Sequence, residues 1–404
     1  MERYVIIGNG VAGVTAAQSI ARARPGVDLH IYAAEPYPYY RRPQLTEYIA
    51  GVIAEADLFY RPPEWYAQQG IRVHLSAPVA ELDPRAYRLR LANGMGVPYD
   101  RLLLATGGLA WKPPIQGANR KGVFTLRTLD DARAIRQFAQ SVRRGVVIGG
   151  GLLGLETARA LRTLGLDVTV LEIAPHLIPR QLDREGAAVL EALLRQMGIR
   201  TVTGGVAEAI LGDSTVRAVR LQDGQEFPAD LVICSTGMQA EATLARQASL
   251  AVNQGVVVDE FLRTSAPDVY AAGDVAEAGG MVYGIVPAAI EQARVAAANM
   301  VAPGSATYSG TLPATTLKVV GAELTSLGEC VAEGEDLLQL RRADPKNGRY
   351  RKLALRNGRI VGAILLNERE HTSPVRQLME RGTDVSAWID LLMEENPDWS
   401  RLMT

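Results

Sequence analysis

Gly149, Gly151 and Gly154, in the run Gly149-Gly150-Gly151-Leu152-Leu153-Gly154-Leu155-Glu156, have the spacing of a backbone loop that cradles a pyrophosphate. The apolar run Val146-Val147-Ile148 leads into them, and a helix-patterned segment follows. A second strand pattern at 167–171 then ends in an acid, Glu172, 23 residues after Gly149. The first two glycines let the backbone turn tightly and approach phosphate oxygens. The third lets helix and strand pack closely, and the helix N-terminus faces the phosphates with its partial positive charge. Glu172 suits the hydroxyls of an adenine ribose and repels a 2′-phosphate. No Arg follows it, since the next residues are Ile173 and Ala174, so NADH is the expected ligand over NADPH.

The same unit occurs earlier. Tyr4-Val5-Ile6-Ile7 runs into Gly8-Asn9-Gly10-Val11-Ala12-Gly13, then a helix pattern to about Arg24, then a second strand over 27–33 ending near Glu35. The two copies are offset by 141 residues (149 − 8). Two dinucleotide loops in one chain imply two dinucleotides, and the economical reason to hold two is to pass a hydride between them.

Composition bounds the rest. The chain has 404 residues, enough for two or three domains, and 48% of them are hydrophobic. No apolar run approaches a membrane span, and a net charge of −1 argues against nucleic acid or a membrane surface as main partner. The first strand begins by residue 4, which leaves no room for a leader, so a cytoplasmic location is expected. The two cysteines, Cys234 and Cys330, form no C-x-x-C or C-x4-C pair, which excludes disulfide redox chemistry of the thioredoxin type. Cys234 lies in the apolar strand Leu231-Val232-Ile233-Cys234 and reads as a core residue. The four histidines have no metal-ligand spacing, so no metal is expected.

Between and after the two loops, the pattern sets out the positioning elements. The Pro- and Tyr-rich stretch from Glu35 to Glu47 is a loop leading into a helix, with Thr46 or a neighbour as a candidate cap. Residues 71–92 alternate strand and turn, and Asn93-Gly94 marks a hairpin. Strand 100–104 ends on Ala105-Thr106-Gly107, and strand 231–234 ends on a matching Thr236-Gly237, so both halves close in the same way. Trp111-Lys112-Pro113-Pro114 reads as a stiff linker, and helices are expected over 129–142 and 183–197. A short strand ends on Gly273-Asp274, and Pro287 opens a long Ala-rich helix to about Val301. From Leu312 the character changes. A hairpin over 349–356 and 359–366 turns at Asn357-Gly358, Ser373-Pro374 starts a helix, and Val385, Trp388, Ile389 and Leu392 form a helical stripe. The expected fold is α/β, with two Rossmann-like dinucleotide-binding domains and a small C-terminal α+β domain. The expected boundaries are 1–111 with 233–312, 112–232, and 313–404.

These motifs in this order resemble the two-dinucleotide-binding flavoproteins, the pyridine-nucleotide-dependent FAD reductases, and within them the NADH:rubredoxin reductase and NADH–nitrite reductase flavin-domain branches. The resemblance rests on GNGVAG, RRPQLTEYIAG at 41–51, LLLATGG at 102–108, GGGLLGLE, RQLDREG at 180–186, VYAAGDVAE at 269–277, GIVPAAIEQA at 284–293 and LKVVGAELTSLGE at 317–329. It implies a glutathione reductase-like fold with FAD on the first loop and NADH on the second. It implies that Gly8, Gly10, Val11, Ala12 and Gly13 hold the FAD pyrophosphate and that Glu35 holds its adenosine ribose. Arg42 and Pro43 would lie against the isoalloxazine, and Asp274, beside Gly273, would hydrogen-bond the ribityl chain. The helix from Pro287 would point its positive end at the flavin C2 carbonyl. Val79, Ala105, Thr106 and Gly107 complete the implied FAD set. Gly149, Gly151, Leu152, Leu153, Gly154, Glu156, Glu172 and Gly237 form the NAD set.

Four further expectations concern the electrons. Relatives that oxidise NADH with oxygen or peroxide carry a redox cysteine after the Arg-Pro segment; 42–49 here contains none, so reduced FAD must hand electrons directly to an acceptor. No acid–base residue is required for hydride transfer, and juxtaposing the two rings supplies on the order of 7–11 kcal/mol. Glu156 is a candidate for the nicotinamide–flavin junction. In several relatives a Glu here pairs with a Lys where this chain has Glu47; that ion pair cannot form, and Glu47 is expected to be a solvated helix residue. Between Arg341 and Arg359 eight basic residues face one acid, Asp344, a local excess of seven. With rubredoxins typically acidic, this segment is the expected docking face for a small acidic electron-transfer protein, on a monomer or dimer.

Overall fold

The computed structural model describes residues 2–312 and 322–402 and the backbone of 314–319. Part of the 317–329 segment that carries the resemblance, and residue 313 at the expected domain boundary, lie outside the described residues. Two compact units divide the chain: residues 1–45, 53–110 and 238–311 form one, and residues 46–52, 111–237 and 312–404 the other.

The first unit is built on a five-stranded parallel sheet. Its spatial order is Val269–Ala271, Arg101–Leu104, Arg3–Ile7, Asp28–Tyr32 and Ile71–His74. Tyr4, Val5, Ile6, Leu102 and Leu103 have no exposed surface, as a sheet covered on both faces requires of unbroken apolar runs. The helices Val11–Ala23 and Val286–Val301 pack on one another and on this sheet through alanines, including Ala16, Ala17, Ala293 and Ala296. Small side chains on both helices let their backbones approach. A three-stranded antiparallel sheet, Val79–Asp83, Arg88–Leu91 and Gly96–Pro98, adds to this unit, with its turn at Gly94 in the left-handed region.

The second unit repeats the plan. Its parallel sheet runs Ile199–Thr203, Asp167–Glu172, Arg144–Ile148, Leu231–Cys234 and Val123–Phe124. The registers match across copies: Arg3 pairs with Asp28 and Ile7 with Tyr32, just as Arg144 pairs with Asp167 and Ile148 with Leu171. The strand expected over 167–171 extends to Glu172, and the helices are Leu129–Ala139 and Arg184–Gln196. The second starts one residue later than expected because Asp183 is its cap, accepting from the Gly186 amide at 3.0 Å.

The same unit carries a five-stranded antiparallel sheet of the C-terminal segment, ordered Ala314–Val319, Ala322–Gly328, Arg359–Leu366, Arg349–Arg356 and Leu338–Asp344. Its hairpin turns at Asn357-Gly358 with both residues at positive φ, the conformation Asn-Gly is suited to. Val385 and Leu392 of the expected stripe are buried and Trp388 and Ile389 pack half-buried against the same core, but as a single 3-10 turn followed by the short helix Ile389–Met393. Thr46 caps nothing. The helix Leu45–Ile49 is entered from the 3-10 turn Arg42–Gln44, and Thr46 is buried within it.

Candidate functional site

Each glycine of the two loops meets a different demand. Gly8 and Gly149 both sit at φ +113, and a Cβ on either would lie 2.1 Å from a backbone oxygen, that of Ala105 or Ser235. Gly13 and Gly154 are equally closed: a Cβ there would lie 2.0 Å from the carbonyl oxygen of Gly8 or Gly149. The fold therefore dictates glycine at the outer positions. The middle glycines are different. Gly10 and Gly151 have ordinary extended backbone, φ −83 and −78, and a Cβ on either meets no atom of the described residues within 4 Å. Neither strain nor crowding explains glycine there. A flat group approaching the backbone from outside does, and a bound pyrophosphate is such a group.

The helices that start at these loops share a second feature. Val11–Ala23, Leu152–Thr163 and Val286–Val301 have no side-chain cap and no acid in the first turn. Two other helices do carry side-chain caps: Thr128 and Asp131 make a reciprocal box at Leu129–Ala139, and Asp183 caps Arg184–Gln196. Uncapped N-termini leave backbone N–H groups and the positive end of the dipole for an anion.

In the first unit these parts converge. Gly273, at φ +85, lies so that a Cβ would meet Ala12 Cβ at 3.0 Å and Ala289 Cβ at 3.7 Å, which puts the Gly273-Asp274 turn between the first turns of both uncapped helices. Gln292, buried on the second helix, fixes this turn by accepting from the Gly273 amide at 2.8 Å, and sequence patterning did not single it out. Ala105 is tied to the first strand through its amide to Ile7 O, and Thr106 Oγ1 donates to Glu241 O at 2.7 Å. Gly107 follows at positive φ. Glu35 accepts from Arg42 at 2.5 Å and from Tyr40 Oη at 2.6 Å, so Glu35 and Arg42 form one cluster, close enough to Asp274 for its charge to act on Arg42. Pro43 is exposed in the adjoining 3-10 turn, and Val79 packs against the core beside a segment held by Ala33 O and Glu35 O. Pro287 stands in the first turn of its helix.

In the second unit Glu172 is buried at the end of its strand. Its two oxygens accept from Gly150 N at 2.6 Å and Ala174 N at 2.7 Å, so the carboxylate braces the glycine loop. Each oxygen keeps a lone pair for a ribose hydroxyl. Leu153, in the first helical turn, and Ile173, beside Glu172, are exposed at 42% and 67%, apolar surface where an adenine would lie. Leu152 is the first residue of that helix, and Gly237, at φ +119, accepts from the Trp111 amide. Ser235, the backbone wall of the second loop, and Ile173 are the local parts that motif matching missed.

Glu47 departs from expectation. Glu47 is half-buried, not solvated, and burial together with its carboxylate pushes Glu156 up to about 7, against the opposing pull of Arg159. A raised carboxyl pKa favours the folded state while the group is protonated, and that contribution is lost as pH rises through the folded value. Stability should therefore fall by about 1–2 kcal/mol between pH 5.5 and 8 from this group, after allowing for its partial exposure. Denaturant midpoints of Glu156→Gln should lack that slope; a variant with the parent's pH profile would show that Glu156 does not titrate there.

Six of the eight basic residues of the cationic segment have carboxylate partners in the folded chain, and among the described residues no ion pair involves Lys346 or Arg359. Arg341 and Lys352 face Asp183 at 3.5 Å, Arg342 pairs with Glu395, Arg349 with Glu368 and Glu370, Arg351 with Glu368, and Arg356 with Glu329 and Asp336. Arg351 and Lys352 are fully buried. The carboxylates come from outside the 341–359 window, so a local count could not see them. Cys234 is buried, which pushes its thiol up to about 11, and Cys330 is a second free, buried thiol.

Two parallel sheets, each with a ligand-shaped glycine loop and an uncapped helix, define an oxidoreductase that holds two dinucleotides. Residues 2–299 match the model of the pyridine nucleotide-disulphide oxidoreductases, and residues 313–383 match the C-terminal domain of rubredoxin NAD+ reductase. The chain belongs to the pyridine nucleotide-disulphide oxidoreductase family, and FAD and NADH are its cofactors. It is 34% identical over 386 residues to a nitrite reductase [NAD(P)H] of Bacillus subtilis, covering 95% of this chain and 48% of the relative. It is 33% identical to the ferredoxin–NAD(+) reductase component of a biphenyl dioxygenase system of Paraburkholderia xenovorans, covering 96% and 95%. Among solved structures, a covalent putidaredoxin reductase–putidaredoxin complex superposes with a TM-score of 0.90 at 27% identity, covering 100% of this chain and 98% of that one. The chain spans about half the length of the nitrite reductase it matches. Among the described residues no helix is long and apolar enough to cross a membrane.

Proposed function

We propose that this chain oxidises NADH on FAD and delivers the electrons to a small iron-containing redox protein, a rubredoxin or a ferredoxin. The observation that carries this reading is the pair of middle glycines, Gly10 and Gly151, whose Cβ space no atom of the described residues fills. FAD accepts a hydride and releases electrons singly, which a one-electron iron centre requires.

The chain's own residues bind and orient. In this reading Gly8, Gly10, Val11, Ala12 and Gly13 hold the FAD pyrophosphate, Glu35 holds its adenosine ribose, and Arg42 and Pro43 lie against the isoalloxazine. Asp274, on a turn fixed by Gln292, accepts from the ribityl hydroxyls, and the helix from Pro287 stabilises negative charge developing on the flavin. Val79, Ala105, Thr106 and Gly107 line the remainder. Gly149 to Gly154, with Glu172 and Gly237, hold NADH. The domain boundaries follow: 1–111 with 233–312 for FAD, 112–232 for NADH and 313–404 for a C-terminal domain. A small protein acceptor is supported by the lack of any cysteine in 42–49 and by the relatives' named partners. A second reading, the NADH-oxidising part of a nitrite-reducing system, is favoured by the identity to the nitrite reductase flavin portion.

Anaerobic stopped-flow mixing tests the proposal. NADH should bleach the flavin within milliseconds and NADPH at least about tenfold more slowly, on the scale of one repelled charge. Glu172→Gln sets an amide NH2 against one of two backbone N–H groups, so the apparent NADH affinity should fall about tenfold and the NADPH disadvantage shrink. Bleaching over minutes would favour a third reading, a flavoprotein that responds to NADH as a redox sensor, and overturn the enzyme reading.

A further inference from the structure

With six of the eight basic residues of the hairpin segment paired internally, an acidic partner needs another anchor. Two guanidiniums without an internal counter-charge lie in the first unit, where segments 39–41 and 58–61 run antiparallel. Tyr40 bridges Phe59, Arg41 N donates to Leu58 O at 3.0 Å and Tyr60 N to Tyr39 O at 3.1 Å. This pairing sets two guanidiniums over one ring: Arg41 lies 4.1 Å and Arg61 4.0 Å from the Tyr60 centroid. Arg61 also lies 4.6 Å from the Trp65 ring. Tyr60 is 43% exposed, and Arg41 is exposed beside it. Neither Arg41 nor Arg61 has a carboxylate within ion-pair distance among the described residues, and Arg61 Nε is a buried donor with no acceptor.

We propose that Arg41, Tyr60, Arg61 and Trp65 form the docking anchor for an acidic electron-transfer protein, a deepening that rests on the function proposed above. Stacking fixes each guanidinium plane, and with no internal carboxylate on either, the two groups are pre-organised for carboxylates of a partner. Arg, Tyr and Trp are the residue types that carry binding energy in protein interfaces. The patch is rigidly tied to the first glycine loop. Tyr66, buried and edge-on to Trp65 at 5.2 Å, donates to Asn9 Oδ1 and accepts from Tyr39 N, both at 3.0 Å. A partner seated on these rings is thereby held against the same loop that holds the FAD pyrophosphate.

The test uses the full-length flavoprotein and a purified acidic rubredoxin and [2Fe–2S] ferredoxin as probes. Binding of oxidised carrier is titrated without NADH, and carrier reduction is then followed with NADH. Arg41→Glu/Arg61→Glu should weaken binding and slow reduction of at least one carrier at least about tenfold at low ionic strength, with the gap closing at high salt. Its flavin should bleach with NADH at the parent rate, and reduction of an uncharged quinone should be unchanged. Arg41→Gln/Arg61→Gln should show a smaller loss in the same direction, while Lys346→Glu/Arg359→Glu on the hairpin should stay within about twofold. Binding of both carriers by Arg41→Glu/Arg61→Glu within twofold of the parent overturns the anchor. A parent whose flavin NADH does not bleach sinks the proposed function instead, and the titration without NADH still decides the anchor.

Discussion

Gly10→Val should give a folded protein that purifies colourless and takes up no FAD, while Gly151→Val should stay yellow but lose NADH. Both backbones are extended and tolerate any side chain, and neither Cβ meets an atom of the described residues within 4 Å, so the new isopropyl group projects only into ligand space. A blocked pyrophosphate should weaken NADH binding at least about a hundredfold, equivalent to about 2.7 kcal/mol. The apoprotein melting temperature of both variants should match the parent's. Gly13→Ala and Gly154→Ala, one methyl each, should fail by a different route. Their Cβ atoms would lie 2.0 Å from a carbonyl oxygen, so these variants should lose stability even without cofactor. Normal NADH turnover by Gly151→Val would remove the second site from the proposal.

Asp183→Asn is expected to be the most destabilising single change outside the loops. Asp183 Oδ1 caps the helix Arg184–Gln196, and Oδ2 accepts from Tyr350 Oη at 2.7 Å and sits 3.5 Å from Lys352 Nζ. Lys352 has no exposed surface and its ammonium makes no hydrogen bond among the described residues, so it relies on the carboxylate contact for compensation. Removing one partner of such a pair costs about 3–5 kcal/mol, because a charge is left buried and unpaired. Urea midpoints should show it. Adding Lys352→Met to Asp183→Asn should restore at least half of the loss, since apolar replacement of a buried pair is often neutral. A loss below about 1 kcal/mol, or no rescue, would mean that the pair is not compensated in the way its geometry implies.

The parts of the molecule written in local pattern were legible. The 141-residue repeat, the return of the chain to the first sheet through Val269–Ala271, and the 349–366 hairpin follow from apolar runs, glycine spacing and Asn-Gly. What local pattern cannot show is where a charge finds its partner. Arg341, Arg342, Arg349 and Arg356 read as a bare cationic stretch because Asp183, Glu329, Glu368 and Glu395 are distant in sequence or outside the window counted. Glu47 read as solvated for the same reason: the chain brings it close to Glu156, 109 residues on (156 − 47). Within the loops, the motif identified the glycines but could not separate those the fold requires from those a ligand requires. That division needed the atoms around each Cβ.

The bare helix starts at Val11, Leu152 and Val286 have a consequence for the protein's lifetime in a cell. A chain that leaves these amides for a guest is most durable only once the guest has arrived, and a vitamin-derived guest at a thousand times its dissociation constant adds about 4 kcal/mol. Flavin supply then governs how much of this protein survives proteolysis as well as how fast it turns over, and a starved cell would clear the empty chain.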